Sequence, residues 1–150
     1  MHLRTVAQKA DLEASWLRPD GDFFSAGACH ILAGVFLEAH PGSDFASYLL
    51  QPACGFRGGH VLVVGDEVTF DWRGYQQRTD GLALLEQERR AVMPGWHCSM
   101  ISIADPLSWT FCRQFHHRHP SQFPHDVMER ARRFRLELEE VERQPLPERR

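Results

Sequence analysis

Cys29 is the residue of this sequence best placed to act as a nucleophile. It follows a turn of small residues at 25–28 and opens an apolar stretch that predicts a helix over residues 29–40. The first turn of a helix carries unpaired N–H groups and the positive end of the helix dipole, which stabilise a thiolate and lower the pKa of the thiol. The same N–H groups can bind the oxyanion of a tetrahedral intermediate. A buried cysteine that only packs in the core is the alternative.

His60 and Asp71 are expected to meet across a β-hairpin. Two strand-like runs flank Gly65-Asp66, a Gly-first pair typical of a two-residue turn. Such a turn pairs His60 directly with Asp71, on one face of the hairpin and with Cβ atoms about 5 Å apart. A carboxylate at that distance orients an imidazole and stabilises its protonated form. With Cys29, the pair predicts a nucleophile, a general base and acid, and an orienting residue.

Three short runs carry a resemblance to a known superfamily. They are Gly27-Ala28-Cys29-His30 before an apolar helix, Gly59-His60-Val61 on a strand, and Phe70-Asp71 on the next strand. The arrangement resembles the papain-like cysteine hydrolases, and is most similar in spacing to the transglutaminase-like hydrolases and the NlpC-type cell-wall amidases. The resemblance covers residues 22–74 and implies a central helix packed on an antiparallel sheet. It also implies thiolate attack on an amide, ester or thioester, an acyl-enzyme, and release by water or an amine.

The sequence departs from papain at the oxyanion donor, because no Gln lies shortly before Cys29. Ser25 or a backbone N–H is expected to replace it, and the N–H of Cys29 itself is the first candidate. Ser25, His30 and Trp72 are the expected substrate-binding residues. His30 is given that role because its side chain points about 100° around the helix from Cys29. Further candidate walls of the cleft are Tyr75 and Trp96. The expected substrate is a peptide-like or small amide.

A second ligand-rich region allows a different function, that of a non-catalytic or zinc-binding interaction protein with the same fold. Cys112 and His116 would share one face of a helix, and His97 or Cys98 could complete a zinc site with them. The other histidines of this region are His117, His119 and His125. The spacing matches no standard zinc module, so an exposed His-rich loop is the preferred interpretation. No metal and no cofactor are therefore expected.

Charge and composition argue against several classes of partner. The sequence has 17 Lys and Arg against 20 Asp and Glu, a formal net charge of −3, and so no basic footprint for nucleic acid. The N-terminus lacks the apolar core of a secretory signal, and no apolar run approaches the roughly 20 residues of a membrane span. We expect a cytoplasmic protein without nucleic-acid or membrane partners. Its four cysteines are then expected to be thiols rather than disulfides.

Helices followed by an antiparallel sheet predict one α+β domain over residues 1–143, with a flexible tail at 144–150. The resemblance implies that this domain is papain-like. The expected helices cover residues 4–18, 29–40, a short segment from Ser43 or Asp44 to Leu50, 79–92 and 121–143. The expected strands are the two of the hairpin, residues 97–104 and residues 109–115. The last helix carries a basic block followed by an acidic block. This favours a solvated face with i, i+4 ion pairs and leaves a homodimer contact as the alternative.

Overall fold

A five-stranded antiparallel sheet forms the framework of the chain. The computed structural model describes residues 4–143. The strands are β1 (Ala46–Pro52), β2 (His60–Val64), β3 (Val68–Asp71), β4 (Gly74–Gln77) and β5 (Cys98–Ile103). The helices are α1 (Val6–Ala10), α2 (Leu12–Trp16), α3 (Asp20–Ser25), α4 (Cys29–Ala39), α5 (Arg78–Val92), α6 (Trp109–Gln114) and α7 (Val127–Arg143), with a 3-10 turn at Pro120–Gln122. This mixture of helix and antiparallel sheet agrees with the predicted α+β class.

Helices cover both faces of the sheet. The strand order is β4-β3-β2-β1-β5, with every neighbouring pair antiparallel. The residues that pack towards α4 are Leu49, Val61, Val63 and Phe70. The residues that pack towards α5 and Trp96 are Leu50, Leu62 and Val64. All five residues of the central strand β2 are buried, which explains why its sequence is a continuous apolar run and not an alternating one.

Helix α4 is the central helix that the sequence predicts over residues 29–40. Its residues from Cys29 to Phe36 are all buried. Phe36 stacks on Phe70 of β3 with ring centroids 4.3 Å apart, and Phe134 of α7 belongs to the same core cluster. Because α4 is enclosed by the sheet and by α7, its first residue is held in a fixed position at one end of β2.

The β2–β3 hairpin differs from its prediction by two residues. The N–H of Gly65 donates to the carbonyl of Val68 at 2.8 Å, so the turn residues are Asp66 and Glu67, one position further along the chain than predicted. Val63 therefore pairs with Phe70, and the predicted direct pairing of His60 with Asp71 is wrong. A shift of two residues keeps every side chain on its original face. His60 and Asp71 are consequently diagonal neighbours, which can still be within reach of each other.

One predicted helix is a strand in the structure, and one predicted strand is a helix. The segment from Ser43 to Leu50 is not a helix, because most of it belongs to β1, which pairs with both β2 and β5; pairing on two sides outweighs the local helix signals. Residues 109–115 are not a strand but mainly α6. The hydroxyl of Ser108 caps this helix by accepting the N–H of Phe111 at 3.1 Å.

Smaller differences affect the ends of other elements. The first helix is divided at Asp11, whose carboxylate caps α2 by accepting the N–H of Ala14. The C-terminal helix begins at Val127 and not at residue 121. Strand β4 was not predicted, whereas α5 and β5 lie within one residue of their predicted ranges. The predicted tail at 144–150 lies outside the described residues. No helix between residues 4 and 143 has the length and apolar character needed to cross a bilayer.

Candidate active site

Cys29 lies at the N-terminus of α4, in the wall of an open cleft. The N-cap residue Ala28 provides no capping side chain, so the N–H groups of the first turn have no side-chain acceptor. The sulfur accepts a hydrogen bond from the backbone N–H of Val61 at 3.3 Å. This N–H is available because the β2–β3 ladder ends at Val63. The structure thus gives the sulfur one backbone donor and access to the cleft.

His60 and Asp71 form a buried pair behind Cys29. His60 Nε2 and Asp71 Oδ2 are 3.0 Å apart, and His60 is fully buried. Oδ1 of Asp71 accepts the backbone N–H of Arg73 at 3.0 Å, which fixes the carboxylate. Strand alternation puts both side chains on the sheet face that packs against α5, whereas Cys29 belongs to the face that packs against α4. His60 therefore approaches the sulfur from behind β2 and does not line the cleft.

Two further histidines approach the sulfur. The ligand atoms of Cys29, His30 and His117 lie within 4.8 Å of one another. His30 is fully buried, and its ring centroid is 4.7 Å from that of His117. His30, expected from the sequence to bind substrate, does not line the cleft, because the helix turns its ring inwards. His117 was not singled out by the sequence analysis as a partner of Cys29.

The C-terminal end of α6 delivers His117 to Cys29. The N–H of His117 donates to the carbonyl of Cys112 at 2.9 Å, across a turn in which His116 has φ of 57°. This is the hydrogen bond of a Schellman helix end, in which glycine usually occupies the left-handed position. With His116 there, the sequence carries no glycine to mark the helix end. The signal that could have revealed α6 is its N-cap, Ser108.

The charges of the site favour a thiolate. Burial alone would raise the pKa of Cys29. The imidazoles of His117, His30 and His60 outweigh burial and hold the pKa of the thiol well below 9.0. Burial alone would lower the pKa of His60, but its hydrogen bond to Asp71 and the nearby Cys29 raise that pKa to about 9. Burial lowers the pKa of His30. This ring is therefore neutral at pH values at which His60 is still protonated.

The cleft beside Cys29 has a volume of about 680 Å³. Of the three expected substrate-binding residues, only Ser25 lines it, and the Ser25 hydroxyl donates to the carbonyl of Asp22 at 3.0 Å. Trp72 lies outside the cleft, as do Tyr75 and the fully buried Trp96. The aromatic walls are Phe56 and Phe115, and the side-chain amides in the lining are those of Gln51 and Gln114. Folding thus brings amide donors to the cleft from distant segments.

The zinc set considered from the sequence is not assembled. Cys112 is buried in the core with its thiol directed at the carbonyl of Pro106, and His116 is exposed. Within residues 4–143, the one group of three or more metal-ligating side chains is formed by Cys29, His30 and His117. The ligand-rich region therefore contributes His117 to a different cluster, because α6 ends beside the first turn of α4.

Comparisons of this chain with protein-family models, with curated proteins and with solved structures find no match.

Proposed function

We propose that this chain is a papain-like cysteine hydrolase or acyltransferase that acts on an amide, ester or thioester. Cys29 is the nucleophile, and the buried His60–Asp71 pair maintains its thiolate. One observation carries the proposal: a cysteine on the first turn of a buried helix opens to a cleft and accepts the N–H of Val61 at 3.3 Å. The His60–Asp71 hydrogen bond of 3.0 Å immediately behind it supplies the positive charge that a thiolate needs.

The positions of the two histidines divide the proton chemistry between them. His60 is enclosed and cannot reach a leaving group in the cleft, whereas His117 lines the cleft beside the sulfur. His117 takes the thiol proton, and the Cys29 sulfur then attacks the acyl carbon. Collapse of the tetrahedral intermediate forms a thioester and releases an amine, alcohol or thiol, which accepts the proton from His117. Water or an amine then attacks the thioester and gives its proton to His117. The acid or amide forms as the sulfur leaves, and His117 returns the proton to the sulfur, which restores the starting state.

The arrangement of the elements supports the papain-like assignment. A helix with an N-terminal cysteine packs on an antiparallel sheet, and consecutive strands of that sheet carry histidine and aspartate. The unsatisfied N–H groups of α4 are the oxyanion donors of the proposal. Gln51 and Gln114 line the cleft and could add an amide donor. We also propose that the substrate is peptide-like or a small amide and that the protein acts in the cytoplasm.

Alkylation with iodoacetamide near pH 7 tests the nucleophile directly. Cys54 is an exposed free cysteine in the same chain and serves as an internal reference. We expect Cys29 to be alkylated at least about tenfold faster than Cys54, because only the thiolate reacts, and His60→Ala to slow Cys29 alone. Mass spectrometry of peptides gives both rates from one sample. If Cys29 reacts no faster than Cys54 and His60→Ala changes neither rate, the proposed nucleophile is wrong.

A second candidate function is a site for a thiophilic divalent cation such as Zn²⁺. His30 Nε2 lies 2.6 Å from the carbonyl of Arg118, and His117 Nδ1 lies 2.8 Å from the carbonyl of Phe115. A carbonyl only accepts, so each of these nitrogens carries the proton, and the other nitrogen of each neutral ring offers a lone pair. His30 Nδ1 is buried without a partner. Two oriented imidazoles and a thiolate are a usual three-ligand zinc set with one open position.

Titration with Co²⁺ distinguishes this second function from the first. We expect one equivalent to bind, with a sulfur-to-cobalt absorption band. We also expect Cys29→Ser to abolish that band and His117→Ala to weaken affinity more than about tenfold. His116→Asn is the matched control, because His116 is the adjacent histidine and Asn tolerates its left-handed conformation. Binding that is equally tight in His117→Ala and His116→Asn would refute the metal site.

A further inference from the structure

The lining of the cleft beside Cys29 is strongly cationic. Four basic side chains, Arg4, Lys9, Arg57 and Arg118, line it together with His116 and His117, and the described residues of the lining include no carboxylate. The chain as a whole has an excess of acidic residues, with a net charge of −3. The cleft lining therefore has a charge opposite in sign to that of the chain as a whole.

Arg4 packs against the segment that leads into the nucleophile. Its guanidinium packs against Gly27, two residues before Cys29, so that a Cβ at Gly27 would be 2.9 Å from the Arg4 Cζ. Gly27 also has φ of +110°, a conformation that favours glycine. The backbone at this position thus permits close approach of the guanidinium to the first turn of α4.

Arg118 lies near Arg4 on the same side of the cleft. The two side chains are near enough to repel each other, and Arg118 donates to the carbonyl of Lys9 at 3.2 Å. In contrast, other arginines of the chain have carboxylate partners, such as Arg130 with Asp20 at 2.8 Å. Within residues 4–143, no ion pair connects Arg4 or Arg118 to a carboxylate. Arg4 also lies in the field of the Cys29 sulfur. Two guanidinium groups beside each other are a recognition unit for planar or tetrahedral oxyanions.

We infer that the cleft selects acyl substrates that carry an anionic group, a carboxylate or a phosphate, close to the carbonyl that Cys29 attacks. Arg4 and Arg118 bind that group, and its negative charge relieves their mutual repulsion. This inference names the substrate class of the proposed cysteine hydrolase and therefore rests on that proposal. The helix N-terminus adds to the same field, since its partial positive charge points into the cleft beside the sulfur.

Two alkylating agents of nearly equal size test the inference. Iodoacetate is anionic and iodoacetamide is neutral, and each forms a thioether with the Cys29 sulfur as iodide leaves. An ordinary thiolate repels iodoacetate, so Cys54 supplies the reference ratio of the two rates within the same chain. We expect the iodoacetate-to-iodoacetamide ratio at Cys29 to exceed that at Cys54 by about tenfold at low salt, and to fall as salt screens the field.

Variants that remove one positive charge test which side chains cause the preference for iodoacetate. Arg4→Gln and Arg118→Gln are each expected to lower the iodoacetate rate more than the iodoacetamide rate, so that the ratio of the two rates at Cys29 falls by about three- to tenfold. Arg113→Gln, at an exposed arginine outside the cleft, is expected to change neither rate. At constant ionic strength, inorganic phosphate and succinate should both slow iodoacetate, and the stronger inhibitor identifies a phosphate or a carboxylate as the bound group.

The outcomes separate this inference from the proposed function. Fast reaction of Cys29 with iodoacetamide but no preference for iodoacetate, or a preference unaffected by Arg4→Gln and Arg118→Gln, overturns the anionic substrate and leaves the nucleophile standing. Absence of inhibition by both phosphate and succinate also overturns it, because a bound anion must be displaceable. Slow reaction of Cys29 with both agents overturns the nucleophile itself.

Discussion

Replacing Asp71 by Asn should remove most of the positive charge held behind Cys29. The pKa of His60 is raised from 6.5 to about 9. A difference of one pKa unit corresponds to about 1.4 kcal/mol, so the folded protein favours the protonated imidazole by about 3 kcal/mol. Burial opposes this preference, and the hydrogen bond to Asp71 is the largest influence that supports it. We therefore expect Asp71→Asn to lose about 1.5–3 kcal/mol of that preference, the usual contribution of a hydrogen bond to a charged group.

The raised pKa of His60 determines the pH range in which Asp71→Asn is less stable than the natural chain. Because the pKa of His60 is raised on folding, its contribution is fully present below about pH 6.5 and is lost as the pH rises through about 9. Urea unfolding should show the largest difference between the natural chain and Asp71→Asn near pH 6, and little difference above pH 9. Asn keeps an acceptor for the N–H of Arg73, which the carboxylate binds at 3.0 Å. The variant therefore tests charge more than local structure.

Histidine NMR provides the second readout. His60 should titrate near 9 in the natural chain and at least about one unit lower in Asp71→Asn. The same NMR comparison is repeated with Cys29→Ser in both proteins. Titration of the Cys29 thiol then cannot affect the signals of His60. A stability difference that does not change between pH 6 and 9, or a His60 that titrates near 6.5 with Asp71 present, would refute the reasoning.

Two further predictions concern the support of α4. Burial alone would raise the pKa of Glu139, but the hydrogen bonds from Tyr75 and His40 outweigh burial and lower it. Glu139→Gln should cost about 1 kcal/mol at pH 7. Urea unfolding should show this loss decrease and then vanish as the pH falls through the lowered pKa of Glu139. Gly34→Ala places a methyl group against the side chain of Leu107, and thermal unfolding should report a loss of about 1–3 kcal/mol. Leu107→Ala should reverse part of that loss in the double variant, and an unchanged loss would assign it to the backbone.

The parts of the fold that follow a local rule could be predicted from the sequence. The helix that begins at Cys29 has an apolar character on all sides and a clear end at His40 to Gly42, so its range differs by one residue from the structure. The hairpin was found from its strands, but its register was two residues in error, because the two-residue turn lies one position further along the chain, at Asp66 and Glu67. The error did not separate His60 from Asp71, since a shift of two residues conserves the face of a strand.

The parts of the site that depend on distant segments could not be predicted. His117 reaches Cys29 from 88 residues away along the sequence, through a helix whose Trp-Thr-Phe start favoured a strand. Arg4 reaches Gly27 only after the N-terminal helices have folded back on α4. Neither contact leaves a periodic pattern, because each depends on where a helix ends in space. A metal set built on Cys112 failed for the same reason, since helix α6 turns that thiol into the core.

The buried His60–Asp71 pair argues for the thiol chemistry over the metal site. An ion pair that is almost completely enclosed costs several kcal/mol in lost hydration, and hydrophobic residues of similar volume are often at least as stable in its place. The metal site does not use this pair, because its ligands are Cys29, His30 and His117. A nucleophilic thiolate does use it, since a protonated imidazole behind the sulfur stabilises the charge while the cleft side remains open to substrate. The proposed hydrolase function therefore accounts for both the cluster around Cys29 and the pair behind it.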